Sequence, residues 1–204
     1  MERHQDKKTK PMKKTICTFV IITLLNFSLF AQSGTKALLI IDIQDFYFPG
    51  GSSALVEPEK AAANAALLLD KFRKEKLPVI HVRHNAKTGA AINKIVKPLP
   101  SEKIISKDEV NCFVGTDLTA YLKTINPDTL VICGMQTHMC VEAATRAASD
   151  MGYKCILIQD ACATKDLKFN DKVIKAEDVH YSTLSTLKNY AEVMSTKEYL
   201  NTRK

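Results

Sequence analysis

The chain has 204 residues, 46% hydrophobic and 25% charged, a globular composition without a disorder signature. Seven Gly, seven Pro and no Trp exclude a collagenous or low-complexity chain. The formal charge of +7 comes mostly from residues 1–31, which hold six Lys/Arg against two Asp/Glu. The remainder carries about +3 and has no basic stripe or stacked aromatics, so a nucleic-acid partner is not indicated.

The first segment has the organisation of an export signal. Lys7, Lys8, Lys10, Lys13 and Lys14 precede the apolar run ICTFVIITLLNFSLF, which ends at Phe30 and is followed by Ala31-Gln32. A basic head, an apolar segment and a small residue at the end read as a secretory signal peptide over 1–31, cleaved after Ala31. Leu29 is larger than the residue usual two positions before such a site. The run is shorter than the ~20 residues of a membrane span. An exported protein, periplasmic or secreted and not stably bound to membrane after cleavage, is expected; the alternative is a cytoplasmic protein with an atypical leader. Residues 35–204 are then long enough for one domain with its own core.

Along that domain, short apolar runs alternate with helical periodicity. KALLIID at 36–42 is apolar without alternation, the pattern of a strand buried on both faces. Residues 58–76 set Ala61, Ala65, Leu68, Leu69 and Phe72 on one helical face. PVIHVR at 78–83 predicts a second strand, 103–106 a short third, and 115–124 a helix. TLVIC at 129–133 is another apolar strand, followed by an alanine-rich helix over 139–151 that stops at Gly152. KCILIQD at 154–160 predicts a strand, 178–190 a helix, and 191–195 a last strand before a short terminal helix. This order implies right-handed βαβ crossovers, hence a three-layer α/β/α domain with a central, mostly parallel, Rossmann-like sheet. Sites in such sheets lie at the carboxyl ends of the strands. Asp42, His81 to His84, Lys107, Gly134 to Cys140 and Asp160 fall there.

Cys140 stands one tight turn after TLVICG, where a helix begins. Unpaired N–H groups there favour a thiolate and hold an oxyanion, yet a packed core cysteine or a half-cystine fits the position as well. Asp42 suits a general base or a turn cap. Lys107 suits a surface lysine or a cation that favours ionised sulfur. Cys112, Cys133, Cys155 and Cys162 complete an odd set of five outside the leader, with no CxxC or Cys/His metal spacing. Free thiols are expected. His81 and His84, three apart on a strand, point to opposite faces and read as structural, so no metal or other cofactor is expected. A dinucleotide-binding oxidoreductase lacks its glycine-rich turn after the first strand.

Together these segments resemble the isochorismatase-like cysteine hydrolases, a group that includes nicotinamidases and N-carbamoylsarcosine amidases. ALLIIDIQDFY is similar to the family's first strand with its Asp-x-Gln signature, and IISKDEVNCFVGTDL to its lysine segment. ICGMQTHMCVEAATRAASDMGY resembles its nucleophile segment, and VHYSTLSTLKNYAEVMSTKEYL its C-terminal part. The resemblance implies Cys140 as nucleophile, Asp42 as general base and Lys107 as third member. It also implies a non-proline cis peptide at Met135–Gln136, with the N–H groups of Gln136 and Cys140 as oxyanion hole. Phe46, Phe113 and His138 are candidate pocket residues; packing at the helix start is the other reading of His138. The implied activity is amide, carbamoyl or ureido hydrolysis of a small-molecule substrate through a thioester, in a homo-oligomer. Nicotinamidases carry Asp-x-His and further metal-binding histidines, whereas Asp42-Ile-Gln44 and the segment 46–58 supply none; isochorismatases proper lack the cysteine. A non-catalytic binding or assembly protein on the same fold is the alternative.

Overall fold

The protein is described from a computed structural model, which covers Met1 and residues 35–202. The export signal expected over 1–31 lies outside the described residues, apart from Met1. Six parallel strands form the central sheet: β1 (Lys36–Ile41), β2 (Val79–His84), β3 (Lys103–Lys107), β4 (Thr129–Met135), β5 (Lys154–Ala163) and, after two strands outside the sheet, β8 (Glu192–Met194). Their spatial order is β3-β2-β1-β4-β5-β8. The chain winds outward from β1 in one direction and, from β4, in the other. The gap between the carboxyl ends of β1 and β4 is therefore the topological switch point, where open α/β sheets bind ligands.

Both faces are covered, as the unbroken apolar strands require. On one face α1 (Pro58–Lys74) and α5 (Thr196–Asn201) pack on Leu38, Ile40, Val131 and Cys133, with Phe72 and Tyr199 stacked at 6.3 Å. On the other, α2 (Leu118–Ile125), α3 (Glu142–Asp150) and α4 (Ala176–Leu187) cover Leu39, Ile41, Leu130 and Ile132. Successive residues of β1 thus feed opposite cores, the period of two that a strand imposes. The three-layer α/β/α architecture read from the sequence is the one observed.

Three local differences have physical causes. Helix α1 stops at Lys74 because Lys76 turns left-handed (φ 56°) and the Leu77 amide bonds back to the Phe72 carbonyl at 2.9 Å. Helix α4 starts at Ala176, ahead of the expected 178, because the Asp166 carboxylate accepts from the Ala176 amide at 2.8 Å. Strand β5 runs on to Ala163, beyond the polar Gln159 and Asp160, because a register irregularity lets Cys162 and Ala163 pair with Gly134 and Met135. Between β5 and α4 the chain forms an antiparallel hairpin, β6 (Leu167–Phe169) with β7 (Lys172–Ile174), where no element was expected.

Candidate active site

Asp42 is the residue after β1. Its amide still bonds the Val82 carbonyl at 3.0 Å, but its backbone turns left-handed (φ 48°), and its side chain is fully buried. Asp tolerates this region better than most residues, at a cost of roughly 1–2 kcal/mol. Gly134 lies opposite Ile41 in β4, with φ 130°. A Cβ there would fall on the Ile41 carbonyl oxygen, so glycine is what lets β4 close on β1 beside Asp42.

Lys107 ends β3, two strands from β1, a separation of roughly 9–10 Å in the sheet. Its long stem crosses the end of β2 and brings Nζ to 2.8 Å from Asp42 Oδ2 and 3.3 Å from Cys140 Sγ. The ammonium meets the carboxylate off the line of a well-angled hydrogen bond, and neither Asp42 oxygen has a hydrogen-bond partner among the described residues. Cys140 sits in a π-helical turn, Thr137–Val141, that leads into α3; the sequence pattern had suggested plain α-helix. The Met135–Gln136 peptide is cis. The three separated sequence positions therefore meet at the switch point, with relative exposures of 0% (Asp42), 1% (Lys107) and 6% (Cys140).

Electrostatics set the resting protonation. Burial raises the Asp42 pKa, and the Lys107 charge opposes that rise only in part. Burial also works against the Lys107 ammonium, but Asp42 and then Cys140 outweigh it and hold the lysine pKa above its ordinary value. Burial first, and the Asp42 charge second, push the Cys140 thiol up to about 12; Lys107 alone favours the anion. One ammonium facing two acids is best matched by a single negative charge. These directions favour an ammonium–carboxylate pair beside a protonated thiol.

The other candidates divide. Phe113 packs in the same core cluster as Cys140, whereas Phe46 belongs to the cluster on the opposite face of the sheet. His138 is half-buried, with Nδ1 2.6 Å from Thr164 Oγ1 at the end of β5. The Gln136 carbonyl accepts from the Met139 and Val141 amides at 3.1 and 3.3 Å, which fixes the turn that carries Cys140. His81 and His84 do face opposite ways: His81 Nε2 meets Glu102 at 3.0 Å, and His84 Nδ1 lies 3.4 Å from Lys107 Nζ. His84 is a neighbour of the cluster that the structural reading of that pair passed over; its place at the carboxyl end of β2 was the available signal. Tyr47 was also missed, and its hydroxyl accepts from Gln136 Nε2 at 3.2 Å. Gln44, the last residue of the Asp-x-Gln signature, accepts from the His84 amide and donates to the His84 and Ala90 carbonyls at 2.7–2.9 Å. It ties the loop after β1 to the end of β2. Among the described residues, no three His, Cys, Asp or Glu side chains are grouped to hold a metal ion. A cleft of about 530 Å³ opens between the starts of α1 and α4 and the end of β5, and none of the three clustered residues lines it.

An acid, a lysine and a cysteine thus meet at the switch point of a parallel three-layer α/β domain. The isochorismatase domain model matches residues 36–198. The uncharacterised isochorismatase family protein YddQ of Bacillus subtilis (strain 168) is 44% identical over 178 residues, 81% of this chain and 99% of that protein. A crystal structure from Oleispira antarctica superposes with a TM-score of 0.81 at 41% identity, over 83% of this chain and 98% of that one. Among relatives with a named activity, nicotinamidase 3 of Arabidopsis thaliana is 25% identical over 179 residues, 76% of this chain and 82% of that protein. The chain belongs to the isochorismatase family of hydrolases.

Proposed function

We propose that the protein is a cysteine-dependent amidohydrolase that cleaves the C–N bond of a small amide, carbamoyl or ureido compound, with Cys140, Asp42 and Lys107 as its catalytic residues. The observation that carries this reading is the position of Lys107 Nζ within reach of both the Asp42 carboxylate and the Cys140 sulfur in a nearly dry site. The Asp42 carboxylate takes the thiol proton as sulfur attacks the substrate carbonyl, so only the attacking sulfur needs to be ionised, and only during reaction. Lys107 neutralises the excess negative charge, and the Gln136 and Cys140 N–H groups hold the tetrahedral oxyanion. The C–N bond then breaks, and the amine leaves with the proton that Asp42 returns. Water adds to the thioester with Asp42 again as base, which releases the acid and restores the thiol. The three groups titrate as a unit, so a pH profile reports the cluster rather than one member.

The name of the nicotinamidase relative supports amide chemistry in general. The histidine-free turn Asp42-Ile43-Gln44, with Gln44 committed to backbone bonds, argues against that relative's substrate here. An ammonia-release screen over amides, carbamoyl and ureido compounds tests the proposal. Activity is expected in the wild type and absent in Cys140→Ala; equal turnover by both overturns it. Export through the 1–31 signal, with a mature chain that starts at Gln32, and assembly into a homo-oligomer are part of the same proposal.

A further inference from the structure

Gln136 follows the cis peptide, and its side chain is buried, with 5% of the residue exposed. Its Nε2 donates to Tyr47 Oη at 3.2 Å, while Oε1 has no hydrogen-bond partner among the described residues. The contrast with Gln44 is direct, since that equally buried carboxamide uses both of its ends. A buried carbonyl oxygen without a partner costs about 1–3 kcal/mol. Such groups in native folds call for a specific explanation, and a ligand that completes the bond is one. Tyr47 holds the Gln136 side chain in place through this bond. It is buried and packed edge-on against Phe46 at 4.3 Å. Gln136 is also the residue that opens the Thr137–Val141 turn holding Cys140, so the Tyr47–Gln136 pair stands next to the element that carries the nucleophile.

We infer that Gln136 Oε1 is a specificity-determining acceptor for an N–H group carried by the substrate carbonyl, and that Tyr47 is its positioning residue. An amide, carbamoyl or ureido group fills the vacant bond. An ester sets an oxygen lone pair against the Gln136 carbonyl instead and leaves it unpaired. Sites built to bond a substrate N–H or O–H reject analogues that lack it far more strongly than apolar pockets do. The inference rests on Cys140 as the nucleophile, and the experiment separates the two.

Iodoacetamide and methyl iodoacetate alkylate the same sulfur and differ in whether the carbonyl bears N–H. Their rate ratio at Cys140, located by peptide mapping and divided by the ratio for glutathione, reads the contribution of the site. The wild type is expected to favour the amide by about tenfold over glutathione. Gln136→Met is expected to fall to within about twofold of glutathione, and Gln136→Glu, which keeps an acceptor oxygen, to retain most of the preference. Tyr47→Phe is expected to lose part of it, about threefold, by freeing the carboxamide. A wild-type ratio equal to that of glutathione overturns the inference even if no variant folds, and so does a preference that survives Gln136→Met; in both cases Cys140 still reacts, and the nucleophile reading stands. Failure of Cys140 to react with either reagent, while Cys162 in the open cleft labels, overturns the nucleophile reading and this inference with it.

Discussion

Asp42 raises the pKa of Cys140 while supplying the base that deprotonates it, and these two effects respond oppositely to substitution. The thiol is held at about 12 by burial and by the carboxylate, with Lys107 opposing. Alkylation of Cys140 in the wild type is therefore expected to climb about tenfold per pH unit from 7 to 10, with no plateau near the ordinary cysteine value. In Asp42→Asn the charge is gone and Lys107 faces sulfur alone, so alkylation at pH 8 is expected to rise roughly tenfold while hydrolysis falls by about 10²–10⁴. Mass-spectrometric labelling rates beside ammonia release check this, and a parallel loss of both would contradict the assigned base. Gly134 governs the same corner through the backbone. Gly134→Ala drives a methyl group into the Ile41 carbonyl at a backbone angle that alanine avoids. A loss of roughly 2–4 kcal/mol in urea denaturation is expected, with activity falling further than stability because Asp42 must move. Asp42, Lys107 and Cys140 were legible because each ends an apolar strand or opens a helix, and local pattern alone places such residues at the sheet edge. Tyr47 was not assigned, and His84 was read as structural. Their relation to the site depends on where a loop folds back and on which face of a strand end is turned inward, and neither leaves a periodic trace.

The elements are locked together partly by one polar clamp. Arg73 of α1 grips Glu102, just before β3, through two bonds of 2.7 and 2.9 Å, and the Leu99 amide adds a third at 2.8 Å. Buried His81 of β2 reaches the same carboxylate. Burial lowers the His81 pKa despite this contact, so the ring is neutral and its Nε2–H donates. Burial opposes ionisation of Glu102, but Arg73, the Leu99 amide and His81 together bring its pKa from 4.5 to about 2. A depressed carboxylate pKa means that the clamp stabilises the fold fully above pH 4.5 and progressively less as pH falls toward about 2. Glu102→Gln is expected to destabilise the protein by roughly 2 kcal/mol at pH 7, with the gap from wild type closing across that interval. Denaturation midpoints at pH 7 and pH 3 measure it, and a constant gap would remove Glu102 as the titrating group. Element order was readable because buried parallel strands and amphipathic helices have distinct periods. Element ends were less so, since Asp166 starts α4 and Gly134 extends β5 by pairing across distance. The β6–β7 hairpin escaped because its exposed Phe169, Val173 and Ile174 form too short a pattern between polar residues to stand out.

On the scale of the whole molecule, export and thiol chemistry constrain each other. Cys112, Cys133, Cys140, Cys155 and Cys162 are all free and all buried. Cys133 and Cys162 come from adjacent strands, yet they pack into cores on opposite faces of the sheet, so a bridge between them would have to pass through it. Burial raises the pKa of every one of the five thiols, which keeps them in the unreactive form. Under the export proposed for it, such a fold would meet an oxidising compartment without needing a disulfide and without forming one readily. If the proposed signal acts, the full chain produced in a bacterial host is expected in the periplasmic fraction as a species that begins at Gln32. Unfolded without reductant, that species should titrate five thiols. Three thiols would reveal a disulfide that the native packing does not provide for, and if Cys140 were one of the missing pair, the enzyme would be a redox-gated one, active only after reduction. An intact leader in the cytoplasmic fraction would instead leave the thiols in a reducing setting and remove the need for burial to protect them.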